Sequence, residues 1–280
     1  MTPSRPEHWS LHARQWRHIG PPLRPCTQDI RIFEQRIAAW HAETRPADDS
    51  VALLLGVTPE IAAMSWPART RLLAVDHNLD MVRYVWPGEA GCADSMAVCG
   101  RWQQMPVRKA AVSMVIGDGC FILMDFPEGY RRVADVLHQV LLPGGCLISR
   151  FFTRPAKAPT VSQLMAGLEN GTIRSFDAFR IQLAMALQGD DVEKGVCLND
   201  VWQAWQNADI DKEQIARNLG WTPEAMALMD NYRGQPTRYF LPTQKEVGQI
   251  FGERFDLVEF FTGDYEMADL CPIMRFVPQR

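Results

Sequence analysis

Three residues in this sequence stand where strand-like apolar runs end. Gly56 follows the run at residues 51–55, Asp76 closes the run at 72–76, and Asp118 lies between Gly117 and Gly119 after the run at 112–116. A strand, a tight turn and a helix, followed about 20 residues later by an acid, form a nucleoside-binding unit. The turn lets a ligand approach the backbone, and the acid accepts ribose hydroxyls. Asp76 stands 20 residues after Gly56. Two ligand classes share these needs: a dinucleotide such as NAD, and S-adenosyl-L-methionine, a nucleoside without phosphates.

The residues after Gly56 separate the two classes. A pyrophosphate needs close backbone approach over several residues and a bare helix N-terminus. Val57, Thr58 and Pro59 instead carry side chains, Pro59 has no N–H, and Glu60 adds negative charge. A cationic sulfonium tolerates a nearby acid and needs only one close approach. The turn therefore favours S-adenosyl-L-methionine, with Gly56, Val57 and Thr58 against it. An NAD(P)-dependent oxidoreductase is the less favoured alternative.

These residues need a sheet to hold them. Thr58 suits a helix N-cap and Pro59 the first helical position. Helices are expected over residues 28–42, 77–86 and 127–141. Further strands are expected at 96–100 and 146–152, with a turn at "LPGG", residues 142–145. From residue 153 to about 239 the alternation gives way to helical patterns, including one over residues 211–232. A helix and two strands close the chain. Alternating strands and helices predict an α/β fold with a mostly parallel sheet. The expected divisions are an N-terminal arm and helix (1–45), a Rossmann-like core (46–152), a helical insertion over the substrate side (153–240) and a closing segment (241–280).

The ordered stretches "VALLLGVTPE", "LLAVDHNLDMV", "VCGRWQQMP", "SMVIGDGCF" and "VLLPGGCLISRFF" resemble the class I S-adenosylmethionine-dependent methyltransferases. The resemblance covers roughly residues 48–152 and 243–278. It implies a seven-stranded sheet whose last strand is antiparallel, with the insertion between strands five and six. It implies S-adenosyl-L-methionine as cofactor, Gly56 near its methionine part, and Asp76 on the ribose. It places His77, Asn78 and Met81 near the ribose and one adenine face. Asp118 would meet the cofactor amine or the substrate, with Gly117 and Gly119 leaving room beside it. Two departures stand out. The first motif has one glycine of the usual three, and Arg101 replaces an acid before the aromatic Trp102. Arg101 has no acceptor to offer adenine, whereas Trp102 offers a backbone N–H and a ring face.

Methyl transfer needs proximity and alignment more than a base. Asp118 and Tyr130 are the candidates if a base is used. The arm around Trp16 reads as a lid across the cleft. Trp202, Trp205, Trp221, Met226, Met229, Tyr232 and Tyr239 read mainly as core of the insertion. Some of them are expected to line an apolar substrate pocket. The net charge of −4 argues against a nucleic-acid acceptor, so a small-molecule acceptor is expected. A non-catalytic cofactor-binding or interaction protein of the same fold is the alternative. The seven cysteines are scattered singly, no zinc spacing is present, and His8, His12 and His18 match no closed metal site. A cytoplasmic monomer or homodimer without membrane contact is expected.

Overall fold

β1 (Ser50–Leu55) alternates between two cores. Ala52 and Leu54 pack under helices on one face of the sheet, and Leu53 and Leu55 pack on the other. This double burial explains its unbroken apolar run. The computed structural model describes residues 8–45, 49–88, 92 and 94–280. The first seven residues of the expected arm, and 46–48 at the expected start of the core, lie outside the described residues.

β2 (Thr70–Asp76), β3 (Ser95–Cys99), β4 (Val112–Asp118) and β5 (Leu141–Arg150) join β1 in parallel. β6 (Val196–Cys197) and β7 (Arg238–Tyr239) form a separate antiparallel ribbon. β8 (Phe255–Phe261) and β9 (Ile273–Pro278) complete the main sheet in antiparallel pairing. The order is β3-β2-β1-β4-β5-β9-β8. The chain turns outward from β1 to β2 and returns past it to β4. Their connections diverge there and leave a crevice at the strand ends. Leu55 pairs with Val75 on one side and Gly117 on the other. Gly56, Asp76 and Asp118 therefore emerge together.

α1 (His8–Arg14) and α2 (Thr27–Thr44) precede the sheet, and α3 (Pro59–Ala62) and α4 (Leu79–Tyr84) follow β1 and β2. Phe33, Ile37 and Trp40 of α2 pack with Ile61 and Met81 on one face. On the other face, α5 (Glu128–Val140) contributes Val133 and Leu137, and α11 (Gln244–Phe251) contributes Val247 and Phe251. Between them, α6 (Val161–Glu169), α7 (Phe176–Gln188), α8 (Leu198–Gln206), α9 (Lys212–Leu219) and α10 (Pro223–Ala227) build a further core around Phe179, Met185 and Trp205.

The structure corrects four local expectations. The residue 142–145 turn lies inside β5: Val112 pairs with Leu141 and Met114 with Cys146, so the intervening residues bulge out, with Gly144 at φ +80°. The helix expected over 211–232 is broken after α9 by Gly220 in the left-handed region. The insertion is not wholly helical, because a short β6–β7 ribbon pairs its middle with its C-terminal end. The helix after Gly56 is a single turn, and Thr58 occupies its N-cap without a side-chain hydrogen bond.

Candidate functional site

The crevice at the strand ends encloses about 690 Å³ including its open mouth. Its floor begins at Gly56, whose N–H donates to the Val75 carbonyl at 2.9 Å. Gly56 has φ +88°, a conformation costly for any other residue, and a Cβ there would stand 3.6 Å from Asp76 Oδ2. The missing side chain leaves a cradle between the turn and the carboxylate. Asp76 Oδ1 accepts the Asn78 N–H at 2.8 Å, which orients the carboxylate. His77, Met81, Val57 and Thr58 line the same space. Trp102 lines it too, and its indole N–H donates to the Val75 carbonyl at 2.7 Å, fixing the ring against β2.

Asn78 and Arg101 line an adjoining pocket beside Cys99 and Gly100 rather than the main cleft. Asn78 is the N-cap of α4. Its Oδ1 accepts from the Asp80 and Met81 amides at 3.0 and 3.1 Å, and its Nδ2 donates to Ser10 at 3.2 Å. The sequence marked Asn78 as a ligand contact; its helix-capping role follows from the same position.

Asp118 ends β4 at the cleft. Arg150 Nε donates to its Oδ1 at 2.5 Å. The same guanidinium reaches Asp29 Oδ2 at 3.1 Å, the Tyr265 hydroxyl at 3.0 Å and the Pro22 carbonyl at 2.7 Å. Two buried carboxylates thus share one buried cation. Burial pushes the Asp118 carboxyl upward, and Arg150 opposes that shift. Sequence reading missed Arg150 and Asp29. A charged residue inside the apolar run "CLISRFF" was the available signal, since such a residue needs a buried counter-ion.

Several expectations change here. Gly117 does not line the cleft: a Cβ would fall 2.7 Å from Ser149 Oγ, so this glycine serves strand packing. Gly119 does line it, with φ +60°, and its missing side chain admits the Phe152 ring. Tyr130 packs against Phe121 and Phe126, with its hydroxyl 3.5 Å from the Phe240 carbonyl and its acidity suppressed by burial. It is not a wall of the cleft, which removes it as a candidate base. Cys120 lines the cleft, but burial raises its thiol far out of the reactive range.

The opposite wall comes from the N-terminal arm, the insertion and the ends of the core strands. Trp9, Trp16 and Leu23 come from the arm, Tyr239 from the insertion ribbon, and Ile122 and Phe152 from the segments after β4 and β5. Arg24 fastens the arm to the turn: it forms an ion pair with Glu60 and donates from Nη1 to the Trp16 carbonyl at 3.0 Å. Gly20 N–H donates to Asp177 Oδ2 at 2.6 Å, joining the arm to the insertion. Among the described residues, no group of three His, Cys, Asp or Glu side chains is placed to hold a metal. No helix among them is long and apolar enough to cross a membrane.

No protein-family model and no curated protein sequence matches the chain. Solved structures do. The N-methyltransferase NodS of Bradyrhizobium japonicum WM9, in complex with S-adenosyl-L-homocysteine, aligns over 97% of this chain and 100% of its own at TM-score 0.50 and 11% identity. The CurJ carbon methyltransferase aligns over 96% of this chain, which spans 58% of CurJ, at 0.55 and 10%. A Rhodobacter sphaeroides protein, provisionally described as a Zn-dependent alcohol dehydrogenase, aligns over 99% and 100% at 0.55 and 12%. The third shows that likeness at this level fixes architecture and not chemistry. The first two alignments run over nearly the whole chain and its seven-stranded sheet: the chain has the fold of the class I S-adenosylmethionine-dependent methyltransferases.

Proposed function

We propose that the protein is an S-adenosyl-L-methionine-dependent methyltransferase acting on a small-molecule acceptor. The observation that carries this reading is the cradle between Gly56 and Asp76, where a Cβ would stand 3.6 Å from the carboxylate and the φ of +88° favours glycine. The residues around it suit the cofactor. Asp76 offers a carboxylate to ribose hydroxyls, while Met81 and Trp102 offer apolar surface for adenine. Asp118, one of two acids sharing a single arginine, favours a cationic amine nearby. The cofactor supplies an activated methyl group on a sulfonium.

A pyrophosphate has no comparable seat. α3 has four residues, begins at Pro59, and carries the Glu60–Arg24 pair at its first turn. So short a helix has little dipole to offer a phosphate.

In this reading the chain acts mainly by positioning and by excluding water. The arm at residues 8–25 is the lid, and the insertion at 153–240 is the substrate cap. Asp118 has one oxygen committed to Arg150, so its role is orientation and charge rather than proton removal. The seven free cysteines suit a reducing, cytoplasmic setting.

Calorimetry with S-adenosyl-L-methionine, S-adenosyl-L-homocysteine and NADH tests the cofactor. Binding of the first two and not the third is expected. Conversion to S-adenosyl-L-homocysteine against an acceptor panel then separates an enzyme from a non-catalytic binder. NADH binding in preference to both would overturn the proposal.

A further inference from the structure

Where α1 meets the insertion, a row of buried polar side chains begins at Arg180. Arg180 has donors only. Its Nη1 donates to Asp177 Oδ1 at 2.7 Å and its Nη2 to the Tyr232 hydroxyl at 2.9 Å. Tyr232 therefore accepts from Arg180, and the arrangement that uses every hydroxyl proton passes its own to the Tyr239 hydroxyl, 3.4 Å away. Tyr239 in turn directs its proton to His8 Nε2 at 3.5 Å. In that arrangement His8 Nε2 accepts and Nδ1 carries the proton. Burial and the nearby Arg180 keep this imidazole neutral, with a pKa of about 3.

His8 Nδ1 is buried and has no hydrogen-bond partner among the described residues. The same is true of the indole N–H groups of Trp9 and Trp16. Trp9 and Trp16 are walls of the main cleft. His8 and Trp9 are walls of a second pocket, which shares Trp9, His77, Trp102 and Leu123 with the cleft and reaches the surface at Arg101. All three unpartnered groups are donors, and a buried donor without a partner is costly. Among the described residues no Asp or Glu lines the second pocket, and Arg101 stands at its mouth. The neighbouring surfaces are the flat faces of Trp9, Trp16, Trp102 and Phe152.

We infer that this corner binds the carboxylate of a flat, apolar acceptor. The inference rests on the methyltransferase reading for the word acceptor, but the carboxylate site stands on its own geometry. Separate N–H groups suit an anion with two oxygens better than a single carbonyl. They repel an ammonium group outright. Indole and neutral imidazole donors also hold the anion without a salt bridge, which lets it leave again after methylation elsewhere on the molecule.

The test is calorimetry with 2-naphthoate, 2-naphthamide and 2-naphthylmethylamine as probes. Each is titrated into the protein alone and into protein saturated with S-adenosyl-L-homocysteine. The carboxylate is expected to bind at least about tenfold tighter than the amide and the amine, the size of one charged hydrogen bond. Trp9→Phe keeps a ring and removes the N–H, so it should erase most of that preference and leave amide binding unchanged. Trp16→Phe provides a second variant should the first fold poorly. The inference is overturned if the amide or amine binds as tightly as the carboxylate. It is also overturned if no probe binds at millimolar concentration, or if both variants keep the full preference. S-adenosyl-L-homocysteine titrated without a probe judges the cofactor reading separately. Carboxylate preference without cofactor binding would sink that reading and leave this site standing.

Discussion

Arg150 holds Asp118 through a 2.5 Å ion pair at the floor of the cleft, with both side chains almost wholly out of solvent. The same arginine also neutralises Asp29. Removing the cation strands two buried carboxylates. Arg150→Met should therefore cost about 3–5 kcal/mol in urea unfolding. Asp118→Asn should cost less, because Arg150 keeps Asp29. A loss below about 1 kcal/mol in Arg150→Met would show that solvent reaches the cluster and that the pair is not structural.

The cradle makes its own prediction. Asp76→Ala should weaken S-adenosyl-L-homocysteine binding by about 1.5–3 kcal/mol, as expected for the loss of a charged acceptor. Gly56→Val combines backbone strain at φ +88° with a side chain pressed toward Asp76, so cofactor binding should be lost. Calorimetry on folded protein decides both. Parental affinity in either variant would remove that residue from the site.

The clasp between Arg24 and Glu60 should show itself in rates. Both side chains are partly exposed, so their pair is worth at most about 1 kcal/mol after screening. Arg24→Ala and Glu60→Gln should each speed cofactor release by up to about fivefold with little change in melting temperature. Stopped-flow displacement measures this. Unchanged release in both variants would mean that the arm does not gate the cleft.

The buried histidines give stability a pH dependence. His8 is held at a pKa of about 3, and His12 well below its ordinary value of 6.5, chiefly by burial. In the unfolded chain both take up protons near pH 6.5, so below that the unfolded state binds more protons than the native one. Their contribution to stability is complete above pH 6.5. It falls as the pH drops, by about 1.4 kcal/mol per unit for each histidine, down to about pH 3 for His8. His8→Phe should flatten the slope of urea stability between pH 6.5 and 4. An unchanged slope would show that His8 is hydrated in the native state.

The sheet was legible because buried parallel strands leave unbroken apolar runs and their connections leave turn residues. Gly56, Asp76 and Asp118 could be picked out because strand ends at a switch point are fixed by local sequence. The opposite wall was harder. Trp9 and Tyr239 are 230 positions apart, and no periodicity links them. Arg150, Asp29 and Tyr265 meet through long-range packing, which single-sequence patterning does not encode. Tyr130 misled because a helix start tells nothing of which face turns inward. Gly117 misled because a strand glycine can serve a neighbouring Ser149 as readily as a ligand.

β9 lies between β5 and β8, although it follows both in the chain. During synthesis from the N-terminus, β5 has no partner on that side until residues 273–278 have emerged. β8 must wait equally long for its ladder partner, and Leu257, Val258 and Phe260 stay exposed even after it arrives. The Arg150 cluster inherits the delay, since Tyr265 belongs to the segment just before β9. The nascent chain therefore carries the Gly56 turn early, and the Arg150 cluster at the cleft floor is completed late. A pause before residues 273–278 would leave the backbone edges of β5 and β8 unpaired on that side, whereas a pause in the insertion would not yet have made β8.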